Sequence, residues 1–390
     1  MEFWRQAEKT YFSTVILFHK HSLNDNLIVV TKGLYIDCYD HDHHKIISID
    51  KSNSQEDNHI SDIAISSDNK YLAAITSSSK LLIIYSLPAL KEERSFVLPR
   101  SASKIRFAIN NTQILVADKT GDGLIYNILK DDNGTKLLGH LSLLLNILQT
   151  PDTNYIITSD RDEKIRVTCY PNTYNIHTYC LGHKEYVDHI ELLPHNNKYL
   201  ISTSGDGTIK CWNYEKGLLF HTIDTSSDIK DENLKKEFRQ NMDEDGLEVE
   251  RLPVVHFSIV KLDDSHSLIA ITVHLVKKIF MYSIETENEQ FSHKLLETLE
   301  LDNFPSAIIF NSLNLFVYFD ASCEVIHYKL TTNSQSCFEL VKKISMFNDV
   351  NMAESTVFNR WTSISVLFKR KFDNMQEYQE RKKKRLGITE

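Results

Sequence analysis

The 390-residue chain lacks most of the signatures that mark a chemistry. Its six cysteines (Cys38, Cys169, Cys180, Cys211, Cys323 and Cys337) form no CxxC pair and no zinc-ligand spacing. Three of them fall in expected strands, where a free thiol packs as a small apolar residue, so all six read as reduced and structural. No apolar run reaches the roughly 18 residues of a membrane span. The opening MEFWRQAEKTYF has no basic-then-apolar layout of a secretion signal. A cytosolic or nuclear protein without a membrane partner is expected. Gly-rich phosphate loops, HExxH and GxSxG are also missing, and no catalytic activity is expected of the isolated chain. The one histidine cluster, His41, His43 and His44 in DHDHHK, reads as a polar loop, because a structural metal site needs four fixed ligands. No metal is expected.

What is present is an ordinary globular composition, 42% hydrophobic and 25% charged, with a net charge of −9. That charge argues against a surface coated with nucleic acid, though a local basic patch stays open. Four stretches share one shape: YLAAITSSSKLLIIYSL (71–87), QILVADKTGDGLIYNI (113–128), YIITSDRDEKIRVTCY (155–170) and YLISTSGDGTIKCWNY (199–214). Each is an apolar strand, a four-residue small or polar turn and a second strand. With the turns in register, the anchors fall at Tyr85, Ile128, Thr168 and Trp212, at intervals of 43, 40 and 44 residues. That is the period of a WD-repeat propeller blade. Gly139–His140 and Gly182–His183 supply the Gly-His pair that opens such repeats. His183, Ser202, Asp206 and Trp212 have the residue types of a structural hydrogen-bonded tetrad within one blade.

Weaker copies at 26–40, 268–283 and 315–330 bring the count to seven. The expected fold is therefore all-β: a seven-bladed WD40 β-propeller over 1–355 with a C-terminal basic amphipathic helix over 356–390. The N-terminal strand is expected to complete the last blade, so that no edge stays open. Residues 224–251 break the rhythm with ten Asp/Glu against five Lys/Arg. They read as a solvated acidic loop with a short helix near 231–242. In the tail, Trp361, Ile364, Phe368, Phe372 and Met375 line one helical face. The rest of that segment is basic, with nine Lys/Arg against three Asp/Glu from Arg360 to Arg385. It either docks on its own propeller or serves a partner or RNA.

The turn SDRDEKIRVT (159–168) stands out. Its siblings use SGDG, TGDG and TSSS at the same place, so the fold does not require charge there. Ile165 and Val167 alternate with Lys164 and Arg166, so one face is expected to pack and the other to present cations. Two readings stay open: a self-neutralising surface ion cluster of little energetic worth, or a docking site with both signs of charge that selects one partner.

The stretches LLGHLSLLLNIL, SDRDEKIRV, CLGHKEYV, SGDGTIKCW and FKRKFDNMQEYQERKKKRL together resemble the WD-repeat, non-catalytic subunit of the tRNA (guanine-N7)-methyltransferase, the family called Wuho in flies. The resemblance is strongest over about 100–220 and returns in the tail. It implies a heterodimer in which a Rossmann-type catalytic partner binds S-adenosylmethionine and methylates a guanosine of the tRNA variable loop. This chain itself then carries no cofactor. The resemblance maps the partner contacts onto Arg161, Asp162, Glu163, Lys164 and Arg166, with Arg166 favoured for a bidentate carboxylate pair. It likewise implies a tail, through Lys369, Arg370, Lys371, Arg381, Lys382, Lys383, Lys384 and Arg385, that supports the partner and the tRNA backbone. The run RKKKRL (381–386) also fits a nuclear address. The competing reading is a general WD40 adaptor in the nucleus, recruiting proteins to chromatin or ubiquitin ligases. Only the fold speaks for it.

Overall fold

The computed structural model describes residues 16–22, 25–40, 43–49, 58–331, 337–348 and 364–369. Every strand in it belongs to one of seven four-stranded antiparallel sheets, each built from four consecutive strands. The architecture is a seven-bladed β-propeller. In chain order the blades span 16–48, 60–97, 102–139, 144–180, 187–224, 254–300 and 307–345. The first strands of successive blades pack on one another around the ring, as Ala102–Phe107 does on Leu144–Gln149 and Leu144–Gln149 on Val187–Leu192.

The apolar core is divided into seven slabs, one between each pair of neighbouring blades. Leu72, Ile83 and Tyr85 meet Val29 and Ile36 in one slab, and Ile157, Ile165 and Val167 meet Leu200 and Trp212 in another. Both faces of an inner strand are therefore covered, which is why these strands read as continuous apolar runs rather than alternating ones. The register also refines the repeat. Ile114 pairs with Tyr126 as Leu200 pairs with Trp212 and Leu72 with Tyr85. The anchor of blade 3 is therefore Tyr126, and not Ile128.

Ring closure differs from the expectation. Among the described residues the last blade uses its own four strands, and the first strand of the chain, Ile16–Ser22, stays in blade 1. An apolar slab, with Ile28 and Val30 against Phe316 and Tyr318, closes the seam together with polar side chains. Fully buried Asp37 accepts the Phe347 N–H at 2.7 Å and lies 3.1 Å from His44 Nδ1, while Lys32 donates to the Asp320 carbonyl at 3.0 Å.

The short helix expected in the acidic insert is present, but the insert is packed on the propeller rather than solvated. Asp231 caps a helix, α1 (Glu232–Glu244), by accepting the Leu234 N–H at 3.0 Å. Phe238 and Met242, one turn apart on the same face, are buried against the slab between blades 5 and 6, along with Ile229, Leu247 and Val249. Tyr282 donates to Asp228 at 2.8 Å and ties the entry of the insert to blade 6.

Candidate partner-docking surface

Blade 5 sets the pattern from which blade 4 departs. There Trp212 Nε1 donates to Ser202 Oγ at 2.8 Å, Ser202 donates on to His183 Nε2 at 2.8 Å, and His183 Nδ1 donates to Asp206 at 2.9 Å. Every polar atom of this buried chain has a partner. Burial lowers the pKa of His183 and keeps it neutral. Burial works against the Asp206 charge, but the bonds from His183, Thr208 and the Lys184 N–H prevail and hold its pKa well below the usual range. Asp206 also accepts the Thr208 N–H across the turn, and Gly207 takes the left-handed conformation at φ +70°.

Blade 4 keeps the first half of this arrangement and rebuilds the second. Thr158 donates to His140 Nε2 at 2.9 Å, and His140 Nδ1 donates to an aspartate at 2.8 Å, but that aspartate is Asp160. The closing pairs Ser159–Ile165 and Thr203–Ile209 put Asp162, not Asp160, level with Asp206. Asp160 also accepts the N–H groups of Asp162 and Lys164 at 2.9 and 3.0 Å, so it alone braces the turn. The Asp162 carboxylate is released from that duty. Beside it, Glu163 occupies the level of Gly207 and adopts φ +66°.

Arg166 corrects the expectation of an outward cation. It is 7% exposed, because its strand, Ile165–Cys169, is interior to the blade and covered on both faces. Thr168 stands where blade 5 has Trp212. Arg166 Nε donates to Thr168 Oγ1 at 3.1 Å, and Nη1 donates to the Gly139 carbonyl at 3.0 Å. Gly139 corresponds to Gly182, the glycine under the Trp212 ring. The guanidinium thus fills the space of the missing indole. Burial lowers its pKa, and Tyr179 and Asp160 offset part of that cost.

The remaining charges face a segment from the far end of the chain. Residues 364–369 cross the face of blades 4 and 5 as a short turn closed by Leu367 N–H to Ile364 O at 3.0 Å. Ile364 and Phe368 are only 6% and 4% exposed, with Phe368 edge-on to Tyr186 at 5.0 Å. Lys369 Nζ then lies 3.0 Å from Glu163 and 3.3 Å from Asp162. Ser142 donates to the same Asp162 oxygen at 2.8 Å. Burial works to lower the Lys369 pKa, but Glu163 and Asp162 outweigh it and raise it. For Asp162, burial is outweighed by the Ser142 bond and Lys369, and its pKa falls. Lys164 is exposed, its Nζ 3.4 Å from the Asp162 carbonyl. Arg161 has a buried Nε with no acceptor.

With this geometry in place, the comparisons are decisive. The tRNA methyltransferase TRM82 WD40 domain family matches residues 39–135 and 129–340. Over 344 residues the chain is 32% identical to the tRNA (guanine-N(7)-)-methyltransferase non-catalytic subunit wuho of Drosophila mojavensis, covering 84% of this chain and 81% of that one. The chain belongs to this family.

The non-catalytic subunit wdr4 of Danio rerio is 29% identical over 350 residues, covering 86% of this chain and 79% of that protein. The WD40 repeats of RRP9 superpose with a TM-score of 0.59 at 19% identity, over 79% of this chain and 91% of that one. That likeness is one of fold alone. The relatives are named as non-catalytic subunits of the methyltransferase, and this subunit is not itself the catalyst.

In this wuho-family subunit the structure brings Arg161, Asp162, Glu163, Lys164 and Lys369 together on one surface and turns Arg166 beneath it. Arg370, Lys371, Arg381, Lys382, Lys383, Lys384 and Arg385 lie outside the described residues, as does the expected C-terminal helix apart from 364–369. Sequence reasoning missed Ser142, Tyr186 and the fully exposed Leu141 beside the turn. Only LSLLL, with one leucine too many for a strand entry, hinted at the last.

Proposed function

We propose that this chain supports a tRNA (guanine-N7)-methyltransferase by holding its catalytic subunit against the charged turn of blade 4. The observation that carries the proposal is Glu163. A left-handed glutamate costs about 1–2 kcal/mol, and blade 5 closes the same turn with Gly207. Blade 4 itself closes without that charge, whose partner is Lys369 of the segment 364–369, whereas a docking surface makes use of it. On this reading the catalytic partner binds S-adenosylmethionine and methylates the variable loop of tRNA, in a heterodimer. The basic residues Arg370, Lys371 and Arg381 to Arg385 form the amphipathic helix that supports the enzyme and the tRNA backbone, and RKKKRL directs the complex to the nucleus.

Co-expression tests this directly. Guanine-N7 methylation of tRNA is measured with the catalytic subunit alone, with this chain, and with the Arg161→Ala/Lys164→Ala variant. Methylation should depend on the chain, and the variant should lose partner affinity by about tenfold or more, as for a truncated interfacial charge. Equal methylation without the chain would sink the proposal.

A further inference from the structure

Lys369 changes the charge that the turn presents. Arg161 and Lys164 balance Asp162 and Glu163 in the sequence, so the turn alone is neutral. In the folded chain both carboxylates are taken by one ammonium, at 3.3 and 3.0 Å. Lys164 is left with a long contact to a carbonyl, and Arg161 with a buried Nε that lacks an acceptor. The cations are thus the unmatched groups. Apolar surface flanks them: Leu141 is fully exposed and Val366 stands half out of the strap. The strap does not hang loosely over this surface. Ile364 and Phe368 belong to the same apolar slab as Leu145 and Tyr186, so displacing Lys369 from its carboxylates leaves two buried side chains still in place.

We propose that residues 364–369 are a built-in part of the docking surface, a strap whose Lys369 engages Asp162 and Glu163 and tips the turn from neutral to a net charge of +1, so that Arg161 and Lys164 receive a carboxylate-bearing, partly apolar segment of the methyltransferase. This rests on the function proposed above and names the chemistry of the partner. It also opposes the simpler idea that the acidic pair itself awaits a basic partner, with the tail as a competitor. The two ideas predict opposite signs for one substitution. Lys369→Glu keeps the apolar anchors, frees both carboxylates and adds a third. A carboxylate-bearing partner should then be repelled, whereas a basic partner should be drawn in.

The test is the affinity of the full-length chain for the purified catalytic subunit, measured by titration calorimetry at low and physiological salt. Lys369→Glu should weaken binding at least tenfold, more so at low salt. Phe368→Ala should weaken it similarly, with circular dichroism confirming that the propeller remains folded. Arg161→Glu and Lys164→Glu should also each weaken it. Tighter or unchanged binding of Lys369→Glu overturns the strap as proposed. If Arg161, Asp162, Glu163 and Lys164 variants all bind like the parent, the docking surface itself is misplaced. If they weaken binding and Lys369→Glu does not, only the strap fails.

Discussion

Replacing Arg166 with alanine should destabilise blade 4 while leaving the outer charges in place. The substitution removes the donors to Gly139 O and Thr168 Oγ1. Leaving a buried acceptor unsatisfied costs about 1–3 kcal/mol, and the vacated space beside Thr168 adds a cavity cost. Removing a buried guanidinium that has no carboxylate bound to it returns some desolvation energy. The balance is a loss of about 2–3 kcal/mol, or a 30- to 150-fold rise in local opening at tenfold per 1.4 kcal/mol. Arg166→Glu should cost more, about 3–5 kcal/mol, because it buries an uncompensated charge near Asp160. Loss of partner binding in that variant reports a disturbed blade before it reports a lost contact.

Native-state hydrogen exchange of the amides in 155–180, set beside those in 199–224, reads this directly. The structure also supplies a rescue. In blade 5 Lys210 and Trp212 stand level with Arg166 and Thr168, and the indole donates to the tetrad serine. Arg166→Lys with Thr168→Trp should therefore restore much of the protection, with the new Nε1–H on Thr158. Thr168→Trp alone should destabilise, since Arg166 already fills that space. A loss below about 0.5 kcal/mol for Arg166→Ala would refute the reasoning, as would rescue by Thr168→Trp alone.

Two further outcomes are expected. Glu163→Gly relieves about 1–2 kcal/mol of left-handed strain against about 0.5–1 kcal/mol of added chain entropy, so stability in urea should hold or rise while partner affinity falls with the loss of the Lys369 contact; a destabilisation beyond about 1 kcal/mol would make Glu163 structural. Stability should also fall as pH drops from 7 towards 4.5. Burial lowers the pKa of His183 and His189, and burial with Lys342 and Lys329 pushes His327 down to about 4. Below pH 6.5 the unfolded chain therefore takes up protons that the native chain refuses, and the loss continues until His327 titrates. Melting temperatures at pH 7.5, 6 and 5 check this, and a flat profile contradicts it.

The blade repeat was legible because each blade spends the same short turn and the same apolar strand pair, and those recur at a fixed interval. What escaped the sequence are cases where one residue type serves two environments. The helix near 231–242 was legible, but the acidic count of 224–251 concealed that Leu234, Phe238 and Met242, at four-residue spacing, pack it against the propeller. Strand alternation placed Arg166 outside, but a blade interior is covered on both faces and alternation carries no direction there. Ring closure was argued from the danger of open edges, whereas the seam is joined by an apolar slab like those between the other blades and by Asp37 and Lys32, single polar residues with no pattern to read.

The charged turn shows most clearly why composition alone misleads. Six charged groups within seven residues invite a single explanation, yet the fold separates them by role. Asp160 belongs to the tetrad and Arg166 to the space of a missing tryptophan, so both are consumed by blade 4 itself. Because Asp160 has moved into the tetrad, Asp162 is free of it, and Asp162 with Glu163 can hold a lysine some two hundred residues away. That lysine tips a neutral turn to a net charge of +1, carried outward by Arg161 and Lys164. Each step depends on the one before: with the tetrad role returned to Asp162 and glycine at 163, the blade would still close, but it would have nothing with which to grip its own tail or to select a partner.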